Sequence, residues 1–209
     1  LPAPLATDPV ARLAQLREAL RAACAALPAE DELKSLRKTL LGLAIDADVV
    51  LDLHCDNEAV LHLYTATALR AEAEPLARLL GAHALLLADE SGDEPFDEAC
   101  STLWARLEQR LRERDGHPVD LPAACLAITV ELRGETDVDH ELAARDATAI
   151  LDFLAVRGLI SDPPRELPPL LHPATPLAGS VPVAVPHAGV VVWRCARGAV
   201  VQVGDVLAD

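Results

Sequence analysis

Apolar side chains recur every three to four positions in five segments of the chain, which is the period of an α-helix with one buried face. Thr7 or Asp8 can cap the first segment, and Pro28 stops it. Gly81 and Gly158 follow two of the others, as is common at helix ends. The pattern therefore predicts helices over residues 8–27, 30–44, 72–80, 96–114 and 140–156.

Three shorter segments are almost continuously apolar. They cover residues 47–53, 84–88 and 123–130. Such runs are typical of strands that are buried on both faces of a parallel sheet. Because they alternate with the helices, the sequence predicts an α/β fold with a mostly parallel sheet flanked by helices.

The composition changes near Pro163. Eight prolines fall within residues 163–186, and two short β-type runs follow at residues 189–193 and 200–205, separated by a turn. We therefore expect residues 1–162 to form the α/β domain and residues 163–209 to form a Pro-rich linker with a small β-rich domain.

Charge and cysteine content limit the functional classes. The chain has 18 Lys and Arg against 33 Asp and Glu, a formal net charge of -15, which disfavours binding to nucleic acid or to an anionic membrane surface. No apolar run approaches the ~20 residues that span a bilayer. The five cysteines are widely spaced and include no CxxC pair, which indicates free thiols in a reducing compartment, hence a cytoplasmic protein.

Two strand ends carry residues that can perform chemistry. His54 lies at the end of the first apolar run, and Glu131 follows the third. Ligands bind at the carboxyl edge of the strands in open α/β sheets, where an imidazole can bind zinc and a carboxylate can move protons. From the residues alone, His54 can also be a structural histidine, and Glu131 can equally form an ion pair with Arg133.

These two segments, residues 48–54 (DVVLDLH) and 129–134 (TVELRG), resemble the paired strand ends of the succinylglutamate desuccinylase/aspartoacylase family. Residues 186–209 resemble the β-rich domain that follows the catalytic core in that family. The resemblance implies a zinc carboxypeptidase-like fold and a zinc-dependent hydrolase that cleaves an N-acyl amide of a small, acidic substrate. It further implies that His54 is a zinc ligand and that Glu131 is the catalytic acid and base.

The sequence departs from the family pattern in two respects. It lacks the D-x-N-R segment that carries a substrate-binding Arg and Asn in the family, and it lacks two of the zinc ligands. The family takes two further zinc ligands from an H-x-x-E motif, but none of the seven histidines is followed by Glu three positions later. A catalytic zinc site needs three protein ligands. We therefore expect the N-terminal part that carries the motif to precede Leu1; the alternative is a non-catalytic homologue or fragment that acts in binding or assembly.

Three further residues near the two strand ends are candidates for substrate binding. His62 and Tyr64 follow the first strand, and Arg133 could bind an anionic substrate group through its guanidinium. Each also has a structural alternative. His62 and Tyr64 can be packing residues, and Arg133 can pair with Glu135 or Asp137.

The C-terminal segment is also similar to biotinyl or lipoyl β domains, which carry their cofactor on a lysine. The only lysines here are Lys34 and Lys38, far upstream of that segment. A covalent carrier function is therefore excluded, and a structural or homo-oligomer contact remains as the expected function of this segment.

Overall fold

The structure, a computed structural model, describes residues 4–92, 95–119, 121 and 124–209. Its five α-helices confirm the five that the periodicity predicts. They are α1 (Pro9–Ala25), α2 (Glu32–Ala44), α3 (Arg70–Leu80), α4 (Phe96–Asp115) and α5 (His140–Val156). The Asp8 side chain accepts a hydrogen bond from the Ala11 amide and so caps α1 as expected.

The strands are β1 (Val49–Asp56), β2 (His62–Thr65), β3 (Ala84–Leu87), β4 (Leu126–Gly134) and β5 (Thr175–Pro176). They form one sheet in the order β1-β4-β2-β3-β5. β1 and β4 run parallel, since the amides of Leu126 and Glu135 donate to the carbonyls of Asp48 and Asp56. β2 and β4 are antiparallel, and β3 and β5 are parallel. The prediction of a mostly parallel sheet flanked by helices is confirmed.

The chain divides into two compact units. The first consists of Leu1–Asp52, Thr65–Leu69 and Asp89–Ile128, and the second of Leu53–Tyr64, Arg70–Ala88 and Thr129–Asp209. The core of the first unit is formed by α1 and α4 with the start of β4, and includes Leu16, Trp104 and Leu111. In the second unit α3 packs against α5, and Leu63, Leu76, Val130 and Phe153 are fully buried. The boundary near Pro163 stays a prediction.

Two expectations about the strands were wrong in detail. β1 is half-buried over its first four residues and exposed over its last four, rather than buried on both faces. An apolar run predicts burial, but it does not show how many other elements cover the strand. Among the described strands, β1 pairs with β4 alone. The periodicity also missed β2 and β5, which have four and two residues. Ala123, the expected start of the third strand, lies outside the described residues.

The C-terminal segment differs from the two β runs that the sequence predicts. Residues 186–209 form no strand; they contain an isolated antiparallel bridge between Trp193 and Ala208. The Val192 and Asp209 backbones exchange two hydrogen bonds, and the Arg194 amide donates to the Leu207 carbonyl. Valines at residues 200, 201 and 203 are exposed.

All five cysteines are free thiols, as the sequence predicts. Burial raises the pKa of Cys100 to about 12 and that of Cys125 to about 11. In the described ranges, none of the helices combines the length and the apolar character that a membrane-spanning segment requires.

The core of the first unit yields a direct stability prediction. Leu111 is 0% exposed, so Leu111→Ala should lower the free energy of unfolding by about 2–5 kcal/mol, measured by chemical denaturation. Leu43→Ala is the matched control, because Leu43 is 70% exposed and its truncation should change the free energy by less than ~0.5 kcal/mol. Equal losses of unfolding free energy in the two variants would contradict the burial of Leu111 in this core.

Candidate active site

A β-bulge interrupts β4 just after Glu131. Two backbone hydrogen bonds flank the pairing of β1 with β4: the Leu126 amide donates to the Asp48 carbonyl, and the Glu135 amide donates to the Asp56 carbonyl. The two acceptors are eight positions apart in the sequence, whereas the two donors are nine positions apart. One extra residue in a strand is a bulge, which bends the strand and re-aims its side chains. Arg133 adopts a φ of 76°, a conformation that a non-glycine residue rarely takes, and this locates the bulge.

The bulge directs the Arg133 guanidinium to α5. Its two terminal nitrogens donate to the two carboxylate oxygens of Asp146, and both side chains are largely buried. A bidentate arginine–carboxylate pair is geometrically specific. The sequence left Glu135 and Asp137 open as alternative partners of Arg133, but the carboxylate that it pairs with is that of Asp146. Its predicted contact with substrate stays a prediction, but its terminal nitrogens already have partners.

Asp146 was not among the predicted site residues, although the sequence carries a signal for it. Asp146 shares one face of α5 with Ala149 and Phe153, three and seven residues further on, and all three are buried. An acidic residue within the apolar stripe of a helix requires a buried cation, because an unpaired charge in that position is costly. The pattern indicates a buried pair, but not that the partner is Arg133.

Glu131, His62 and Tyr64 lie on the same face of the sheet. His62 is directly opposite Glu131 in the antiparallel register of β2 and β4, so their side chains point to the same side. Tyr64 is two residues after His62 and shares that side. Glu131 Oε2 is buried and has no hydrogen-bond partner among the described residues. The fold thus brings together three of the five predicted site residues, which we call the Glu131 cluster.

Both ring nitrogens of His62 are engaged. Nδ1 lies 2.8 Å from the Val60 carbonyl oxygen, which can only accept, so Nδ1 carries a proton. In the neutral ring Nε2 is then an acceptor, and the Tyr64 hydroxyl, 3.1 Å away, donates to it. The two rings also meet edge to face, with centroids 5.2 Å apart. His62 therefore fixes the direction of the Tyr64 O–H bond.

The negative charge of Glu131 affects the pKa of Tyr64. Burial raises the pKa of Tyr64 above its ordinary value of 10.0, and the negative charges of Glu131 and then Asp56 raise it further. Tyr64 is therefore neutral near pH 7, which keeps its proton available for the bond to His62. Because the pKa is higher in the folded state, the stability that this group contributes is present below pH 10.0 and is lost as pH rises above it.

His54 lies in the exposed half of β1, next to β4. It lines a cavity of about 550 Å³ with Arg133 and Asp146, whereas the members of the Glu131 cluster do not line that cavity. Over residues 4–92, 95–119, 121 and 124–209, no group of three or more His, Cys, Asp or Glu side chains could hold a metal ion. The described residues alone therefore do not fit a catalytic zinc, which takes three protein ligands.

Two of the solved structures that resemble the chain show the relationship. A protein from Shewanella frigidimarina NCIMB 400, described as a succinylglutamate desuccinylase/aspartoacylase, is 25% identical with a TM-score of 0.80 over 96% of this chain and 53% of its own. A protein of the same family from Shewanella amazonensis SB2B is 27% identical with a TM-score of 0.79 over 96% of this chain and 54% of its own. Neither a protein-family model nor a curated protein matches the sequence.

The predicted resemblance is confirmed in structure, because these relatives are proteins of the succinylglutamate desuccinylase/aspartoacylase family. The fold is that of the zinc carboxypeptidase-like deacylases. The chain spans about half of the length of either relative.

Tyr64 is the only tyrosine, so tyrosinate absorbance reports its ionisation directly. Glu131→Gln removes a negative charge that raises the pKa of Tyr64, so the titration midpoint should move to lower pH. Asp56→Asn should move it less, because Asp56 is the weaker cause, and Glu135→Gln should leave it in place. An unchanged midpoint in the Glu131→Gln variant would show that the Glu131 carboxylate does not lie close to Tyr64, which would contradict the Glu131 cluster.

Proposed function

We propose that the chain is the part of a hydrolase that supplies the general base and acid for cleavage of an N-acyl amide. The structural relatives support a deacylase at the level of the family. The observation that carries the proposal within this chain is the buried carboxylate oxygen of Glu131, which has no partner among the described residues and faces His62 and Tyr64.

Glu131 can move the proton that amide hydrolysis requires. The carboxylate takes a proton from the attacking water, whose oxygen forms a bond to the acyl carbon, and then gives that proton to the amide nitrogen as the carbon–nitrogen bond breaks. The products are the free carboxylic acid and the free amine. A carboxylate oxygen that is buried without a partner is suited to this, because no competing hydrogen bond holds its lone pairs.

Tyr64 and His62 would position the substrate beside Glu131. Because the Tyr64 proton is directed to His62, the phenolic oxygen presents lone pairs to a ligand. It would therefore accept a hydrogen bond from an N–H or O–H of the substrate. It would not donate one to a substrate carboxylate, because its only proton is donated to His62. In this arrangement Tyr64 contacts substrate directly, and His62 is a positioning residue that acts through Tyr64.

Zinc is part of the proposal for the whole protein. His54 is the candidate ligand in this chain, and a complete site requires ligands in addition to those among the described residues. When bound, zinc would supply Lewis-acid polarisation of the amide carbonyl. The substrate class, a small acidic N-acyl compound such as succinylglutamate or an acylated aspartate, follows the family names of the relatives.

The test is Glu131→Gln in the whole protein, assayed with succinylglutamate and acylated aspartate. Loss of a general base should lower kcat by about 10²–10⁴-fold, while the metal content measured by elemental analysis stays equal to that of the wild type. Glu166→Gln is the matched control, an exposed glutamate that does not line the cavity of His54, and should retain full activity.

Full activity of the Glu131→Gln enzyme would contradict the assignment of Glu131. A folded wild-type protein that hydrolyses neither substrate and binds no metal would favour the alternative, a non-catalytic homologue or fragment that acts in binding or assembly.

A further inference from the structure

A second cavity in the second unit is lined by basic side chains. It has a volume of about 250 Å³, and Arg133, Arg145, Arg197 and His83 lie in its wall together with Asp137. Three arginines around one small cavity are notable in a chain with 18 basic and 33 acidic residues. No member of the Glu131 cluster lines it, and neither does His54.

The charges around this cavity do not cancel. Arg133 is paired with Asp146, and Arg197 is paired with Asp137 through two hydrogen bonds of 2.8 and 3.2 Å. The Asp137 carboxylate also accepts from the Gly134 amide, and its pKa is held low by Arg197 first and by that amide second. With both carboxylates engaged, the third guanidinium leaves a net positive charge at the cavity.

That third guanidinium belongs to Arg145. It makes no hydrogen bond or ion pair with another described residue, and it is exposed to solvent. Arg133 contributes a second unused donor, because its Nε is buried and has no acceptor in the described part of the chain. A buried N–H without a partner carries a desolvation cost that an anionic ligand would relieve.

The backbone is arranged to bring Arg197 to this wall. A Cβ atom at Gly134 would lie 3.0 Å from Arg197 Nη1 and 3.0 Å from the Asn57 carbonyl oxygen, so a larger residue would displace the guanidinium. Gly198 has a φ of 77°, and a Cβ atom there would lie 3.0 Å from Val60 and 3.1 Å from His83. With the positive φ of Arg133, three backbone positions around one cavity need unusual conformations or close approaches. Such features cluster at ligand-binding sites.

We propose that this cavity binds a small oxyanion, a carboxylate or a phosphate, through Arg145 and the unused Nε–H of Arg133. Guanidinium groups match the planar, bidentate geometry of both ligand types. At about 250 Å³ the cavity lies just below the usual range for small-molecule sites, so it admits a small anion. The inference does not depend on the proposed acid–base chemistry, because the cavity shares no residue with the Glu131 cluster.

The experiment is isothermal titration calorimetry on this chain with two probes, inorganic phosphate and succinate. Ionic strength is held constant with chloride, because screening weakens exposed charge interactions. We expect saturable binding of at least one probe with one site per chain. Binding of succinate alone identifies a carboxylate ligand, and binding of phosphate alone identifies a phosphate ligand.

Arg145→Gln should weaken binding of the active probe by about tenfold or more, because charge-assisted hydrogen bonds are lost. The fold should be unaffected, since Arg145 has no partner among the described residues. Arg157→Gln is the matched control, an exposed arginine that follows the same helix and does not line the cavity, and it should bind as the wild type does.

Two results would overturn the proposal. One is the absence of saturable binding of either probe up to about 10 mM, which is weaker than a specific site of this kind should be. The other is binding that Arg145→Gln and Arg157→Gln weaken equally, which would indicate a general effect of net charge. Both readouts measure binding, so failure of the hydrolase proposal would not affect them.

Discussion

The one-residue bulge in β4 determines how the functional side chains of the second unit are arranged. Side chains on a regular strand alternate strictly, so residues 131 and 133 would point to the same face. The extra residue and the positive φ of Arg133 break that alternation. Glu131 then remains beside His62 and Tyr64, while the Arg133 guanidinium reaches Asp146 on α5. Without the bulge, the Arg133 side chain would lie on the same face of the sheet as Glu131.

This separation gives two sites of different chemistry. The Glu131 cluster has a buried carboxylate oxygen and a phenolic oxygen, both of which present acceptors, so it suits water and N–H groups. The basic cavity presents donors on Arg145 and Arg133 and suits an anion. An acidic chain can hold both because Asp146 and Asp137 each neutralise one arginine and leave Arg145 uncompensated.

The sequence predicted those parts of the fold that depend on local pattern. The helices followed from 3.6-residue periodicity and from caps such as Asp8, and the buried start of β4 followed from its apolar run. It predicted Glu131 directly after this strand, whereas β4 continues to Gly134 and includes Glu131. β2 was missed because four residues that include His62 and Tyr64 give too short a signal, and the partner of Arg133 was missed because Asp146 is thirteen residues away in a helix.

The proposed function requires that water cleaves the acyl amide. Hydrolysis of succinylglutamate and acylated aspartate by the whole protein in ¹⁸O-labelled water tests it most directly. Direct attack of water on the acyl carbon predicts one labelled oxygen in each molecule of carboxylic acid released, at a rate proportional to protein concentration. Release without label, or no release from either substrate by folded, metal-loaded protein, would contradict the claim.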